Sequence, residues 1–239
     1  RNIHDCLASV ADFVDEIVVL DSYSTDDTEQ ICRRFEKAKF YQHPFDGHIQ
    51  QKNRALDLCT SEWILSVDAD ERVSPELRRS IEDFIASNPT AVGAKFPRLA
   101  YHMHRFIRHS GWYPNARYRL VRKGKARWGG ENRHDKLILD GRGAKLTGDL
   151  LHYTARDLSD QVGTVNAFSS ITALTRYNKG KRFHMWRLLV KPVSKFIEVY
   201  LVKFGFLDGM QGFIIAASGV YYAFLKEAKL YELDVLGSD

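Results

Sequence analysis

The chain is poor in cysteine and has no motif built from it. The three cysteines, Cys6, Cys32 and Cys59, stand apart in helix-like apolar stretches and show no C-x-x-C spacing. That distribution argues against a zinc site and against the disulfide framework of a secreted domain. A reducing, cytosolic environment fits it best.

Long apolar runs are also absent. The longest nearly uncharged apolar stretch, Gly212 to Leu225, is shorter than the roughly 20 residues that a bilayer-spanning helix needs. The chain opens with Arg1-Asn2-Ile3 and lacks the charged and then apolar segments of a signal peptide. We therefore expect neither a transmembrane helix nor a cleaved leader.

What is present is the composition of a folded α/β protein. The 239 residues are 44% hydrophobic, which is enough for one large domain with an appendage. Between residues 15 and 97, short β-branched runs alternate with amphipathic segments, which predicts a mostly parallel sheet flanked by helices. The predicted strands are Glu16–Leu20, Lys39–His43 and Trp63–Val67, and the predicted helices are Ile49–Cys59 and the segment between Ser74-Pro75 and Asn88-Pro89.

The second half of the chain has a different character. Short strand-like runs among aromatic and basic residues, from Val92 to about Leu151, predict a mixed or antiparallel completion of the sheet. After Ala155 the pattern becomes helical, with candidate helices over 158–178, 183–204 and 208–233. We therefore predict an α/β domain over 1–155 and a helical extension over 156–239.

Two carboxylates follow the end of a predicted strand. Asp68 and Asp70 follow the apolar run Trp63-Ile64-Leu65. In a strand, residues two apart point to the same side, so both carboxylates can converge on one hard divalent cation. A polar loop after a strand is the plainer interpretation. Asp21 ends another predicted strand, and ligands of parallel sheets bind beyond such carboxyl ends.

Three segments of the sequence carry a family resemblance through their order. They are Val18 to Asp26, Gln50 to Leu56 and Leu65 to Glu71. Their order and spacing together resemble the inverting family 2 glycosyltransferases, which have the GT-A fold, a mixed sheet flanked by helices. Two later segments, Trp128 to Asp135 and Leu151 to Tyr153, resemble the branch that builds bacterial lipopolysaccharide core and related surface glycans. The resemblance extends from the first residue to about Tyr231.

The start of the chain departs from the family pattern. Family members begin with a strand and a short Lys-Asn-Glu-like segment that helps to seat the nucleotide, and this chain starts just after it. Asn2 to Ala11 has the pattern of the helix that would follow. We therefore expect a missing first strand ahead of this helix, rather than an incomplete site.

The resemblance implies a binding site for a UDP-sugar donor. Asp21, with Ser22 beside it, would accept the imide N–H of uracil, unless Asp21 is a turn or helix-capping residue. Lys52 and Arg54 would supply charge to the diphosphate or stack on the base, although a solvated helix face explains each of them singly. Asp68 would contact either the ribose or a metal ion.

The resemblance also implies a metal cofactor. Asp70 would bind Mn²⁺ or Mg²⁺ between the two phosphates of the donor, with Asp68 as a possible second ligand. His152 would be a third ligand or a phosphate contact, since a neutral imidazole suits Mn²⁺. A hydrogen-bonded structural histidine is the alternative for His152.

An inverting transfer further needs a carboxylate that deprotonates the acceptor hydroxyl. The resemblance makes Asp135, which follows the flexible pair Gly129-Gly130, the first candidate for this base, and Glu131 the second. Either acid could instead be a surface group of the basic segment between Arg117 and Lys145. The bases of that segment alternate along a strand without a recognition motif, so we expect an anionic acceptor there and no nucleic acid.

The C-terminal helices combine apolar residues such as Trp186 and Leu189 with cationic ones such as Lys191, Lys195 and Lys203. This combination suggests an interfacial helix that lies on an anionic membrane leaflet. Packing of the helices onto each other, or onto a second copy in a homodimer, is the alternative. Together with the family resemblance, the interfacial helix predicts a peripheral protein on the inner face of the cytoplasmic membrane that acts on a glycolipid or glycan.

Two other functions remain open at this stage. A sugar nucleotidyltransferase would normally carry a Gly-rich, basic phosphate loop early in the chain, and the sequence has none. A non-catalytic module of the same fold could bind a membrane surface or a nucleic acid without transferring a sugar.

Overall fold

The computed structural model describes residues 2–130, 135–153 and 157–237 of the chain. These residues fall into two compact units. The first is built from Arg1–Leu99 and Asn115–His152, and the second from Ala100–Pro114 and Tyr153–Asp239. The second unit therefore includes one segment, Ala100–Pro114, from inside the range that the sequence predicts for the α/β domain.

The strands of the described residues are short. In chain order they are β1 (Ile17–Asp21), β2 (Ala38–Gln42), β3 (Trp63–Leu65), β4 (Glu71–Val73), β5 (Gly93–Phe96), β6 (Arg98–His102), β7 (Arg105–Ile107), β8 (Arg117–Arg122), β9 (Ala126–Gly129), β10 (Lys136–Leu139), β11 (Gly143–Lys145) and β12 (Leu150–Tyr153). Several of these were not predicted, among them β4, β11 and β12, because three or four residues are too few to show an alternating pattern.

The helices agree more closely with the sequence pattern. They are α1 (Asn2–Ala8), α2 (Thr28–Cys32), α3 (His48–Leu58), α4 (Pro75–Ala86), α5 (Leu158–Asn178), α6 (Met185–Phe196) and α7 (Gly209–Tyr231). The helix predicted over 183–204 is divided, since α6 ends at Phe196 and a π-helical turn, Ile197–Val202, continues it. A 3-10 turn, Gly205–Asp208, then leads into α7.

The strands of the first unit pair in both directions, as predicted for a mixed sheet. Antiparallel pairs outnumber parallel ones among the described strands, so the expectation of a mostly parallel sheet over 15–97 was wrong. β1 runs parallel to β2. A four-stranded sheet has the order β11-β5-β8-β3, with β11 parallel to β5 and with both β5 and β3 antiparallel to β8. β4 pairs with β12, and β9 pairs with β10, both antiparallel. Helices flank these sheets, which confirms the predicted fold class.

Local sequence explains where α4 begins and which face it buries. Ser74 caps the helix, since its Oγ accepts a hydrogen bond from the Leu77 backbone N–H at 3.1 Å, and Pro75 occupies the first helical position. Leu77 and Ile81 lie four residues apart on one face and are buried in the main core. That core also contains Phe96 and Leu120 from the four-stranded sheet.

An apolar cavity of about 810 Å³ is lined by β1, β3 and the helices α1, α3 and α4. Among the described strands, β1 pairs only with β2 and β3 only with β8, so each has one edge without a partner strand. The cavity therefore leaves space for a further strand beside these edges. The strand expected ahead of α1 stays a prediction.

The second unit packs its helices around a small apolar core. Ile107 from β7 is fully buried there with Val199, Ile215 and Ala216. At Gly212 of α7 a side chain would collide with the Gly205 carbonyl, so the close approach of α7 to the 3-10 turn requires glycine.

Among the described residues, no single helix is both long and apolar enough to cross a bilayer. Only the bent pair Met185–Val202 and Gly205–Leu236, whose two parts meet at 69°, reaches that length and apolarity jointly.

Candidate active site

Asp21 lies at the carboxyl end of β1, where the sequence places it, and its carboxylate is held by a turn. Asp21 Oδ2 accepts the Ser24 backbone N–H at 2.8 Å, and Oδ1 accepts the Ser24 hydroxyl at 2.5 Å. Burial alone would raise the pKa of Asp21, but the hydrogen bonds from Ser24 and Gln42 hold this pKa below its ordinary value. The residue is thus an ionised acceptor fixed in position at the strand end.

Ser22 and α3 meet next to this carboxylate. The Gln51 side-chain amide donates to Ser22 Oγ at 2.7 Å and to the His43 carbonyl at 3.1 Å. Gln51 thereby joins the start of α3 to the loops after β1 and β2. A nucleotide bound at the end of β1 would have this polar surface beneath it.

Asp68 is neutralised by two cations. Its Oδ1 lies 3.2 Å from Lys52 Nζ, and its Oδ2 accepts from Arg119 Nη2 at 2.7 Å. Burial alone would raise the pKa of Asp68, yet the Arg119 guanidinium and the Lys52 ammonium hold it well below its usual range. Asp68 is therefore charged at every physiological pH.

Lys52 joins the predicted nucleotide site to the predicted base. Its ammonium lies 2.8 Å from Asp135 Oδ2 as well as 3.2 Å from Asp68 Oδ1. It also lies 4.3 Å from the centre of the Trp128 ring, a cation–π distance. One cation on α3 thus holds two carboxylates that are 67 positions apart in the chain.

Asp70 has a different partner from Asp68. Its Oδ2 lies 3.2 Å from His152 Nε2, and its side chain is 38% exposed. Strand β3 ends at Leu65, so Asp68 and Asp70 follow the strand in a turn, and the alternation that would aim them at one point does not apply.

The donor chemistry of Asp70 and His152 fits a divalent ion. A carboxylate and an imidazole suit Mn²⁺, and Mg²⁺ in nucleotide sites commonly uses one or two carboxylates together with substrate phosphates. Among the residues that the structure describes, no three His, Cys, Asp or Glu side chains gather into a complete metal site. Metal binding by Asp70, Asp68 and His152 stays a prediction.

Glu71 is the buried centre of this charge network. Its Oε1 accepts from Arg98 Nε at 2.5 Å and from Arg119 Nη2 at 3.0 Å, while its Oε2 accepts the Asp68 backbone N–H at 2.8 Å. The residue is fully buried and fixes the turn that carries Asp68 and Asp70. The sequence left Glu71 as a second choice beside Asp68 and Asp70, with capping of the helix near Ser74 as the alternative. The structure shows that Ser74 itself caps that helix and that Glu71 binds Arg98 and Arg119.

Asn53 fixes Trp128 beneath the Lys52 ammonium. Its side-chain amide donates to the Trp128 carbonyl at 2.9 Å and accepts the Trp128 backbone N–H at 2.9 Å. Trp128 is 5% exposed, and its ring centre lies 4.3 Å from the Lys52 ammonium and 5.4 Å from the Arg119 guanidinium. The sequence motif contained Asn53, but its amide gave no indication of this pairing.

Arg54 turns away from the carboxylate cluster. It forms an ion pair with Asp46 at 2.9 Å and donates to Gln51 Oε1 at 2.6 Å. The structure therefore places Arg54 beside the loop before α3. Glu131, the second candidate for the base, lies outside the described residues.

Four cations of the basic segment have acidic partners among the described residues. Arg119 pairs with Asp68 and Glu71, and the other pairs are Arg122 with Glu62, Lys125 with Asp140 and Arg127 with Asp57. The charge of these four side chains is therefore balanced without an acceptor. The role of Arg119 was missed because its strand alternates Arg with apolar residues, which does not reveal which Arg is buried.

Comparisons with known proteins identify the family of the chain. The family model described as "Glycosyl transferase family 2" matches residues 1–137. A curated relative from Rhizobium meliloti (strain 1021), named lipopolysaccharide core biosynthesis glycosyltransferase LpsC, is 31% identical over 92% of this chain and 84% of its own length. An uncharacterized glycosyltransferase from Rickettsia typhi, RT0209, is 29% identical over 95% of this chain and 81% of its own length.

A solved structure supports the fold independently. The crystal structure of S. aureus TarS residues 1–349 in complex with UDP-GlcNAc superposes with a TM-score of 0.50. It is 16% identical in sequence and covers 72% of this chain and 61% of the TarS chain. At that identity the likeness concerns the fold alone.

Proposed function

The chain belongs to glycosyltransferase family 2, and we propose that it transfers a sugar from a UDP-sugar donor, with inversion, to a glycolipid or glycan acceptor of the lipopolysaccharide core type. The observation that carries the proposal is Lys52, whose ammonium contacts both Asp68 on the donor side and Asp135, the candidate base. The likeness to an enzyme of lipopolysaccharide core biosynthesis supports the acceptor class.

The donor would bind beyond the ends of β1 and β3. Asp21, held as a carboxylate by Ser24, accepts the imide N–H of uracil, and Ser22 supplies a hydroxyl beside it. Lys52 contributes positive charge towards the diphosphate. The solved TarS complex, which contains UDP-GlcNAc, supports a nucleotide-sugar donor for this fold.

Asp70 and His152 would hold a divalent metal ion, Mn²⁺ or Mg²⁺. Their oxygen and nitrogen donors are within hydrogen-bond distance of each other, and the Asp70 carboxylate is partly exposed. Such an ion, when bound, neutralises the charge that develops on the departing diphosphate. Asp68, already balanced by Lys52 and Arg119, serves mainly to hold Lys52.

Asp135 acts as the base once Lys52 is engaged elsewhere. In the free protein the Lys52 ammonium lies 2.8 Å from Asp135 Oδ2 and occupies the carboxylate that would act as the base. A diphosphate beside Lys52 competes for this ammonium. Asp135 then takes the proton from the acceptor hydroxyl as that oxygen attacks the anomeric carbon opposite UDP. Donor binding thus precedes activation of the acceptor.

We also place the enzyme at a membrane. A glycolipid acceptor lies in a bilayer, and the apolar, cationic C-terminal helices support peripheral association with the inner face of the cytoplasmic membrane. A homodimer through these helices is the competing arrangement.

Two variants test the assignments separately. In Asp135→Asn, UDP binding should persist while transfer falls by a factor of about 10² or more, because general base catalysis contributes that much. In Asp70→Ala, the Mn²⁺-dependent part of UDP binding should disappear. Calorimetry with UDP and Mn²⁺ and a coupled assay for released UDP measure both.

Asp140→Asn is the matched control, since this carboxylate is 83% exposed and pairs only loosely with Lys125 at 3.7 Å. It should leave binding and transfer unchanged. Normal transfer by Asp135→Asn would move the base to Glu131. Thermal stabilisation by nucleoside triphosphates but not by UDP would contradict a transferase and favour a nucleotidyltransferase.

A further inference from the structure

Helix α6 and the π-helical turn after it expose a continuous apolar row. Trp186, Leu189, Val190, Val193 and Ile197 recur three or four residues apart, which places them on one face of the helix. They are between 46% and 64% exposed. A surface helix of a protein in water normally presents polar residues on such a face, so this row indicates a partner.

The same helical segment has two other faces, one packed in the core and one cationic. Leu188, Phe196 and Val199 are partly or fully buried, and the last two pack in the core of the second unit with Ile215. Arg187, Lys191 and Lys195 recur four residues apart and form a cationic row. The exposed apolar row lies between the packed face and the cationic row. The side chains of this apolar row are therefore not buried when this unit folds.

Apolar exposure continues beyond α6. Val202, Phe204, Phe206, Leu207 and Met210, around the 3-10 turn, are 45% to 69% exposed. Phe204 has a φ of 53°, a left-handed conformation that is unfavourable for a bulky residue. A turn that displays large apolar side chains at some conformational cost extends the exposed surface of α6.

The net positive charge of the chain lies in the same unit. The second unit carries 13 Lys and Arg against 8 Asp and Glu, an excess of five that equals the excess of the whole chain. Residues 179–203 alone contain seven cations and a single acid, Glu198. Among the described residues, Lys181 and Lys191 have no acidic partner. This region therefore fits a negatively charged surface.

We propose that α6 and the turn after it form a docking surface for a bilayer with anionic headgroups. The apolar row and the turn enter the boundary between headgroups and acyl chains, while the adjacent cationic row contacts the anionic headgroups. This surface is the part of the protein that would bind the membrane in the proposed function. Only its biological role rests on that function, since lipid binding needs no sugar donor.

A second copy of the chain fits this surface less well. In a two-fold contact the same face meets itself, so the cationic rows of both copies would come together. Like charges at an interface weaken association, and Glu198 is the only acid within 179–203 to offset them. An anionic lipid surface balances the positive charge of the cationic row directly.

Vesicle flotation with the full chain tests the proposal. The protein should float with vesicles of phosphatidylcholine and phosphatidylglycerol and remain at the bottom with phosphatidylcholine alone. The double variants Leu189→Glu with Val193→Glu and Lys181→Glu with Lys191→Glu should each lower the partition coefficient about tenfold or more. All four side chains are exposed, so circular dichroism and the melting temperature should match those of the parent chain.

Two controls carry matched changes elsewhere. Leu174→Glu alters an exposed apolar residue of α5, and Lys123→Glu reverses an exposed charge in the first unit. Both should float like the parent chain. Flotation that is insensitive to the α6 variants, or equally sensitive to the controls, would overturn the proposal.

The remaining outcomes also decide between partners. Release by alkaline carbonate supports a surface position, whereas resistance to carbonate would mean that the bent helix pair inserts. A dimer that the α6 variants dissociate, without any vesicle binding, would assign the face to a second copy. Flotation of a chain that does not bind UDP would leave the docking surface intact and refute the proposed function alone.

Discussion

Asp68 shows how its neighbours decide the role of a single acid. The family resemblance assigns Asp70 to a metal ion and leaves Asp68 open between ribose and metal, and the structure gives the two acids different partners. Lys52 and Arg119 both contact Asp68, whereas Asp70 meets only His152 among its described ion-pair partners. Sequence distance hides this difference, because Arg119 is 51 positions away and reaches Asp68 only through the antiparallel pairing of β3 with β8.

The depressed pKa of Asp68 predicts a dependence of stability on pH. A carboxylate with a lowered pKa stabilises the fold above its unfolded pKa of about 3.9, and this contribution is lost as the pH falls towards the folded value. The difference in unfolding free energy between the parent chain and Asp68→Asn should therefore be largest near pH 7 and should shrink below about pH 4. Urea unfolding at several pH values measures it. A difference that grows in acid would contradict the charge pairing.

At the scale of elements, helix α3 organises the candidate site through consecutive residues. Gln51 joins the loops after β1 and β2, Lys52 holds two carboxylates, Asn53 binds the Trp128 backbone on β9, and Arg54 pairs with Asp46. The helical period predicts that these side chains point in different directions, but not what each will meet. The partner elements come from distant parts of the chain, so the contacts depend on the tertiary fold.

The bond between α3 and β9 predicts the effect of Asn53→Leu. This change leaves the Trp128 N–H and carbonyl without their side-chain partner, which should cost about 1–3 kcal/mol of unfolding free energy. It should also impair transfer, because Lys52 rests on the Trp128 ring. Gln50→Leu, an exposed site on the same helix, should change stability by less than about 0.5 kcal/mol. Equal effects of the two variants in chemical denaturation would refute the role of Asn53.

At the scale of the whole molecule, the units do not follow the chain in sequence. The second unit takes Ala100–Pro114 from between strands of the first. Within that unit Ser110 donates to Asp208 Oδ2 at 2.9 Å, and Ile107 is buried with Val199 and Ile215. A segment from the middle of the chain thus needs the C-terminal helices for its core.

This division predicts the behaviour of a fragment that ends at residue 155. Such a fragment would expose Ile107 and leave the Ser110 loop without Asp208, so it should aggregate and bind an apolar dye. Gel filtration and dye fluorescence measure this. The same fragment with a Gly-Ser linker in place of Ala100–Pro114 should be markedly more soluble. A monomeric, cooperatively melting fragment 1–155 would support the simpler boundary that the sequence suggests.

The sequence by itself determined the family, the α/β character and the approximate position of the helices, because motif order and hydrophobic periodicity are properties of consecutive residues. It also brought Asp21, Lys52, Asp68 and Asp135 forward as candidates. Only the tertiary structure decided that Lys52 links Asp68 to Asp135 and that Glu71 and Arg119 are buried beneath them. These contacts join residues tens of positions apart, and charge pairing across such distances depends on strand register, which local pattern does not encode.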